Sequence, residues 1–291
     1  MLKKIETVAL LHPGKMGVTI GTAAATGGVR VVWASDGRGN ATRRRAEQAK
    51  LIDVGKVADA VRQSDVLLSV CPPHAAVDLA SAVAAKKFTG IYVDANAVSR
   101  ETAQEIGRIV SASGASFVDG GIIGSPVEKA GTTRLYLSGD RAPQIAALFS
   151  GSMLDARAIG SAPGAASALK VAYAAWTKCT DALVLAIRAY ASYEGVDAAL
   201  LEEWSISQPA LAKKCERAAA VAVPKAWRYV GEMREIADAF KSAGLPTGFH
   251  LAAAEICERL VCFKDQTDPA LTVPTVLEAF HDRSSAAAHP V

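Results

Sequence analysis

Val8-Ala9-Leu10-Leu11, then His12-Pro13-Gly14-Lys15-Met16-Gly17, then the run from Val18 to Ala25 decide the fold of this chain. The first four residues make an apolar strand, the glycine-bearing stretch a turn, and the alanine-rich run a helix. That order leaves uncapped amides at a helix start, which favour an anion; Gly14 lets the backbone approach phosphates and Gly17 lets the helix lie close on the strand. It is the arrangement that grips a dinucleotide pyrophosphate, although His12 stands where the first glycine of G-x-G-x-x-G belongs. A second strand, Val29 to Ala34, ends about 20 residues past the glycines, where a ribose-reading residue belongs.

Outward from this unit, short apolar strands alternate with helical stretches: Val66 to Val70, Ile91 to Asp94, Phe117 to Asp119 and Leu135 to Ser138. Such alternation predicts a Rossmann-type α/β domain, a mainly parallel sheet with helices on both faces. Cys71-Pro72-Pro73 stops its strand, because proline cannot donate to a ladder, and leaves a loop at the carboxyl edge where open sheets bind ligands. After Gly160-Ser161-Ala162-Pro163-Gly164 no further strand is expected. One helix runs from Ala165 to about Glu194, closed by Gly195; about 30 residues at 1.5 Å each span roughly 45 Å. Its apolar residues, Tyr173, Trp176, Leu183, Leu185 and Ile187 among them, surround the axis, which predicts burial on every side. Shorter helices follow, broken at Pro209, Pro224 and Gly244-Leu245-Pro246-Thr247-Gly248. The expected division is 1–162 for the dinucleotide and 163–291 for an all-α domain serving substrate and dimerisation, with a frayed tail from Ser284 to Val291.

Composition narrows the function. The chain has 291 residues, 51% of them hydrophobic, and a formal charge of +3, too small to indicate nucleic acid. Arg43-Arg44-Arg45 is its one basic run. No apolar stretch approaches the length of a membrane span, and Met1-Leu2-Lys3-Lys4 precedes too short an apolar segment for a signal peptide, so a cytoplasmic location is expected. The five cysteines form no C-x-x-C pair and read as buried thiols; histidines and carboxylates show no metal spacing.

Gly14-x-Met16-Gly17, Val70-Cys71-Pro72-Pro73, Asp119-Gly120-Gly121-Ile122-Ile123-Gly124 and Gly164 followed by Lys170 together resemble the β-hydroxyacid dehydrogenase and 6-phosphogluconate dehydrogenase-like superfamily, which includes the imine reductases. Gly131-Thr132-Thr133-Arg134-Leu135-Tyr136 and Gly244-Leu245-Pro246 resemble the branch whose helical C-terminal domain was catalogued as of unknown function. The resemblance implies an NAD(P)-dependent oxidoreductase in which Lys170 gives or takes the proton. A lysine six residues into a buried helix also loses hydration, which lowers an ammonium pKa toward a working range. Without the resemblance it reads as a lysine snorkelling to solvent. Members acting on hydroxy acids place a serine and an asparagine where this chain has Ile123 and Tyr173-Ala174, implying a less polar or bulkier substrate.

Tyr173, one turn past Lys170, either hydrogen-bonds the reacting oxygen or is a core aromatic. Gly124 and Ser125 follow Ile123 as candidate substrate contacts. Glu232, where the resemblance places a Lys-Asp pair, either lines the pocket or pairs with Arg228, and His250 is either a polar site group or a core histidine. The expected cofactor contacts are His12, Pro13, Gly14, Lys15, Met16 and Gly17, then Ser35, Asp36, Arg38 and Arg43, and finally Cys71, Pro72 and Asn96. If Asp36 takes the ribose hydroxyls the cofactor is NAD; if it caps the turn, Ser35, Arg38, Thr42 and Arg43 cradle a phosphate and the cofactor is NADP, the reading the guanidinium groups favour. The expected activity is hydride transfer to or from a hydroxyl or carbonyl carbon of a small molecule. An imine reductase, a non-catalytic dinucleotide-binding protein and a methyltransferase are the alternatives, and a second copy of the chain is the expected partner, giving a homodimer.

Overall fold

The computed structural model describes residues 4–267 and 269–281. The chain divides into two compact units, Met1–Val171 and Ala172–Val291. In the first, the elements run β1 (Thr7–Leu10), α1 (Lys15–Thr26), β2 (Arg30–Trp33), α2 (Asn40–Gln48), β3 (Ile52–Asp53), α3 (Val57–Gln63), β4 (Val66–Ser69), α4 (Ala76–Ala84), β5 (Ile91–Asp94), α5 (Arg100–Ser111), β6 (Ser116–Ile123), β7 (Arg134–Ser138), α6 (Ala142–Ala147) and β8 (Asp155–Ala158). The long helix α7 (Ala165–Tyr193) begins in this unit and continues into the second.

One sheet holds all eight strands in the order β3-β2-β1-β4-β5-β6-β7-β8. Neighbours are parallel except β6 and β7. Both faces are covered, which is why the strands read as continuous apolar runs. Val8 and Leu10 join one core with Ile20, Val31 and Trp33, while Ala9 and Leu11 join the opposite core with Val32, Leu67 and Tyr92. The chain order reverses between β1 and β4, and ligands bind in the crevice past the carboxyl ends of strands at such a switch point.

Three expectations are corrected. β3 and β8 escaped the reading, since one is two exposed residues and the other alternates alanine with Asp155 and Arg157 at a sheet edge. β6 continues through Gly120-Gly121 to Ile123, because Gly120 is a strand position packed on Asp94 and Ala95 and Gly121 is one over which α7 passes. The boundary between the two compact units falls inside α7, whose first turns are fastened to the sheet. Finally, α7 is not buried all round: Tyr173, Leu183, Ile187, Tyr190 and Trp176 are exposed, the last by 69%.

The second unit adds α8 (Asp197–Ser207), α9 (Leu211–Arg217), α10 (Ala226–Ser242), α11 (Gly248–Arg259) and α12 (Val273–His281). A π-helical turn over Ala218–Ala222 and a 3-10 turn over Val223–Lys225 accommodate Pro224. Val184, Leu185, Trp204, Cys215, Val223, Cys257, Leu260 and Val276 form its core. Gly195 ends α7 in the left-handed region at φ +72°, as a helix-terminating glycine does. The cysteines are unpaired, but only Cys215 and Cys257 are buried and Cys262 is exposed. Among the described residues no helix is long and apolar enough to cross a membrane. Met1-Leu2-Lys3 and the tail from Ser284 lie outside the described residues.

Candidate dinucleotide site

The turn after β1 has the geometry its glycines imply. A Cβ at Gly17 would stand 2.2 Å from the His12 carbonyl oxygen, so the residue is fixed by contact; a Cβ at Gly14 would meet nothing within 4 Å, leaving room in front of the helix. Gly14 caps α1 without any side-chain hydrogen bond, so its first-turn amides keep the partial positive charge that holds an anion. Burial, reinforced by the Arg38 charge, pulls the His12 imidazole down to about 4, so it is neutral at physiological pH. His12 Nδ1 and Arg38 Nε are buried without a hydrogen-bond partner, and such groups call for a ligand atom.

The loop after β2 is organised by its arginines. Arg43 donates from Nη2 to the Ser35 carbonyl at 2.8 Å and from Nε to the Arg38 carbonyl at 3.1 Å. Arg45 donates to the Pro13 carbonyl at 3.3 Å and to Thr42 Oγ1 at 3.0 Å, tying α2 to the glycine turn. Ser35 is buried, and its hydroxyl bonds Asp53; Asp36 is exposed, with its amide donating to the Gly55 carbonyl at 2.9 Å. These residues fit an NAD-type dinucleotide: free amides and open space for the pyrophosphate, and guanidinium groups at the second strand's end.

A polar row crosses the carboxyl edge, where Ser69, Asp94, Asp119 and Ser138 stand in register on β4, β5, β6 and β7, all fully buried. Asp119 accepts from Ser138 Oγ at 3.0 Å, from the Ser167 amide at 2.9 Å and from Ser167 Oγ at 2.5 Å. Ser138 Oγ accepts from the Ala166 amide at 3.1 Å. The start of α7 is thereby fastened over β6 and β7. A Cβ at Gly121 would lie 2.7 Å from the Ala166 carbonyl oxygen and 3.2 Å from Lys170 Cβ, so bare backbone at Gly121 is what lets half-buried Lys170 sit against the strand. Cys71 and Asn96 belong to the same edge, with the Asn96 side chain engaged inside the protein. Burial pushes the Cys71 thiol up to about 11, which makes it a poor nucleophile.

The other candidates separate. Ile123 is buried in β6, whereas Gly124 and Ser125 are exposed; a Cβ at Gly124 would stand 2.3 Å from the Thr132 carbonyl oxygen. Tyr173 is 45% exposed, so it is not a core aromatic. In the second unit Glu232 pairs with Lys178 of α7 rather than with Arg228, and Lys178 Nζ lies 4.4 Å from the centre of the Tyr229 ring. His250 is buried, edge-on to Phe240 at 4.2 Å, with its Nδ1 buried and without a hydrogen-bond partner. Asp94, Asp119 and Lys178 were not among the expected site residues. A carboxylate ending the apolar run of β5, and another following the apolar Phe117-Val118 within β6, was the visible signal for the first two; nothing local marked Lys178.

Fold and turn together define a protein built to hold a dinucleotide at the switch point of an open sheet. Residues 7–147 match the family described as the NAD binding domain of 6-phosphogluconate dehydrogenase, and residues 191–260 match a domain of unknown function, DUF1932. Residues 7–147 thus form a domain of this NAD-binding family. It is 31% identical over 166 residues to an uncharacterised 28.5 kDa protein of Methanothermus fervidus, a match spanning 57% of this chain and 63% of that protein. Among solved structures, a conserved protein of unknown function described as similar to 3-hydroxyacid dehydrogenases superposes with a TM-score of 0.73 at 25% identity, over 88% of this chain and 97% of the other. Mycobacterium tuberculosis 3-hydroxyisobutyrate dehydrogenase with L-serine gives 0.71 at 18% identity, over 95% and 99%. A reductive aminase from Aspergillus terreus with NADPH gives 0.56 at 16% identity, over 96% and 100%. The last two are likenesses of fold.

Proposed function

We propose that the protein is an oxidoreductase that moves a hydride between NADP and a hydroxyl or carbonyl carbon of a small molecule, with Lys170 as general acid and base. The observation that carries this reading is the seating of Lys170 against Gly121, on the strand two places from β4 and at the same sheet edge as the glycine turn. Three strand spacings of about 4.8 Å put β6 roughly 14 Å from β1. Bound there, the nicotinamide supplies or accepts the hydride. When a carbonyl is reduced, negative charge grows on its oxygen and the Lys170 ammonium donates the proton; in oxidation the neutral amine takes it back. Tyr173 on the next turn supplies a phenol to the same oxygen.

The preference for NADP is supported by the loop after β2. Arg43 is spent on backbone carbonyls there, while Arg38 keeps a donor unused, and guanidinium matches phosphate in a two-pronged geometry. The dimer rests on the exposed apolar residues of α7. Tyr173, Trp176, Leu183, Ile187 and Tyr190 recur at steps of three, seven, four and three residues, the spacing of a coiled-coil seam, and a second copy of the same helix would cover them. Sedimentation of Leu183→Asp beside wild type tests this: a wild-type monomer refutes the dimer.

The activity is tested by following NADPH and NADH oxidation, and NADP and NAD reduction, over a panel of alcohols, aldehydes, ketones and imines. Turnover of an alcohol or carbonyl that falls 100-fold or more in Lys170→Ala, within the 10²–10⁴ range of general acid–base catalysis, supports the reading. Turnover of imines alone makes the protein an imine reductase. Dinucleotide binding without any turnover makes it a binding protein.

A further inference from the structure

We propose that Asp94 is a positioning residue: acting through Asn96, it fixes the Cys71-Pro72-Pro73 loop as one wall of the dinucleotide groove and so sets how tightly the dinucleotide is held. The inference rests on the dinucleotide-binding reading of the carboxyl edge.

Asp94 closes β5 with no exposed surface, between Ser69 of β4 and Asp119 of β6. A carboxylate in such a place is unfavourable unless it is bonded. Asp119, its neighbour, uses both oxygens on Ser138 and Ser167, and its task is to seat α7. Asp94 faces Asn96: Oδ1 accepts from Asn96 Nδ2 at 2.5 Å and Oδ2 accepts from the Asn96 amide at 3.4 Å. Asn96 Nδ2 also donates to Ser69 Oγ at 2.9 Å, and Asn96 Oδ1 accepts from the Cys71 amide at 2.6 Å.

These bonds have a direction. The Ser69 hydroxyl serves as donor or acceptor, so it leaves the Asn96 amide free to face either way. An ionised carboxylate only accepts, so Asp94 compels the Asn96 NH2 to face inward and its oxygen to face Cys71. That oxygen meets an unusual loop. Pro72 and Pro73 carry no amide hydrogen, so the Cys71 N–H is the one backbone donor the three residues possess, and Asn96 holds it. The loop follows β4, the partner of β1 across the switch point, and the Arg38 charge acts on both Cys71 and His12. Slack at Cys71 is therefore slack in the groove.

Burial first, and the Asp119 charge second, raise the Asp94 carboxyl to about 7. The titratable groups facing it are Asp119 on β6, Tyr92 on its own strand and the Cys71 thiol beyond β4. A protonated Asp94 offers a hydrogen to the Asn96 oxygen, which turns the amide and releases Cys71.

The test compares wild type with Asp94→Asn and Asn96→Ala by NADPH and NADH fluorescence titration at about pH 6 and about pH 8, and by hydrogen exchange of the peptide spanning residues 70–76, corrected for intrinsic rates. One hydrogen bond corresponds to roughly 3- to 10-fold. The expected result is dinucleotide binding weaker by that factor in both variants, faster exchange confined to the Cys71 amide and its loop, and wild-type binding that tightens toward pH 8 while Asp94→Asn stays flat. Unchanged affinity and unchanged loop exchange in folded variants overturn the proposal. If Asp94→Asn fails to fold, Asn96→Ala and the wild-type pH comparison decide. If wild type binds neither dinucleotide, the proposed activity falls, and loop exchange in the variants still decides whether Asp94 holds the loop.

Discussion

Gly121→Ala is the sharpest probe of how Lys170 is seated. Gly121 has no positive φ, so alanine is conformationally acceptable and the perturbation is purely one of space. The new Cβ would stand 2.7 Å from the Ala166 carbonyl oxygen, 3.3 Å from its carbon and 3.2 Å from Lys170 Cβ, whereas ordinary contact begins at 3.4 Å. Strand and helix must open by about 0.7 Å, a shift worked from those contacts. The helix yields poorly, because Asp119 and Ser138 grip its first turn through Ser167 and Ala166. Overpacking of this kind costs about 1–3 kcal/mol, and each kcal/mol lowers Tm by about 2–4 °C in a protein of this size. Lys170 moves with the helix, and misplacement approaching 1 Å lowers kcat by about 10-fold or more. Urea unfolding and initial rates on the substrate found by the panel measure both effects. Gly231→Ala is the control: it lies within α10, a Cβ there meets nothing within 4 Å, and it should stabilise by about 0.5–1 kcal/mol. A Gly121→Ala protein within about 0.5 kcal/mol of wild type and with full kcat refutes the seating.

Gly17→Ala, whose Cβ would overlap the His12 carbonyl, should lose at least about 10-fold in affinity for either dinucleotide by fluorescence titration; wild-type affinity would mean the turn does not hold the pyrophosphate. Arg38→Ala should weaken NADPH by about 10- to 150-fold, the worth of a charged hydrogen bond, while sparing NADH; equal losses for both would remove the phosphate role. Asp94 also makes stability depend on pH. Its folded pKa is raised from 3.8 to about 7, so between these values the unfolded chain ionises before the folded one does. The stability it contributes is complete below about pH 4 and lost as pH rises through about 7, at most on the order of 4 kcal/mol. Urea-derived stabilities should therefore fall from about pH 5 to about pH 8 in wild type and fall less in Asp94→Asn; parallel curves would show that Asp94 ionises normally.

What the amino-acid order determined by itself is whatever is written in neighbours. The strand, turn and helix at residues 7–26, the alternation that gives a parallel sheet, and the end of α7 at Gly195 all follow from local periodicity and from glycine at positions where a Cβ has no room or φ is positive. Lys170 stood out only through resemblance, since nothing within its own helix distinguishes it from a solvated lysine. Tertiary structure decided what depends on partners far apart in the chain. Ser167 reaches Asp119 across 48 residues and Cys71 reaches Asn96 across 25, separations over which no pattern fixes a pairing. The same holds for the capture of Glu232 by Lys178 in place of Arg228, and for the choice of which face of an almost wholly apolar helix stays open. Periodicity specifies which residues seek burial; only the packed chain determines which of them find it and which polar groups are left to meet one another.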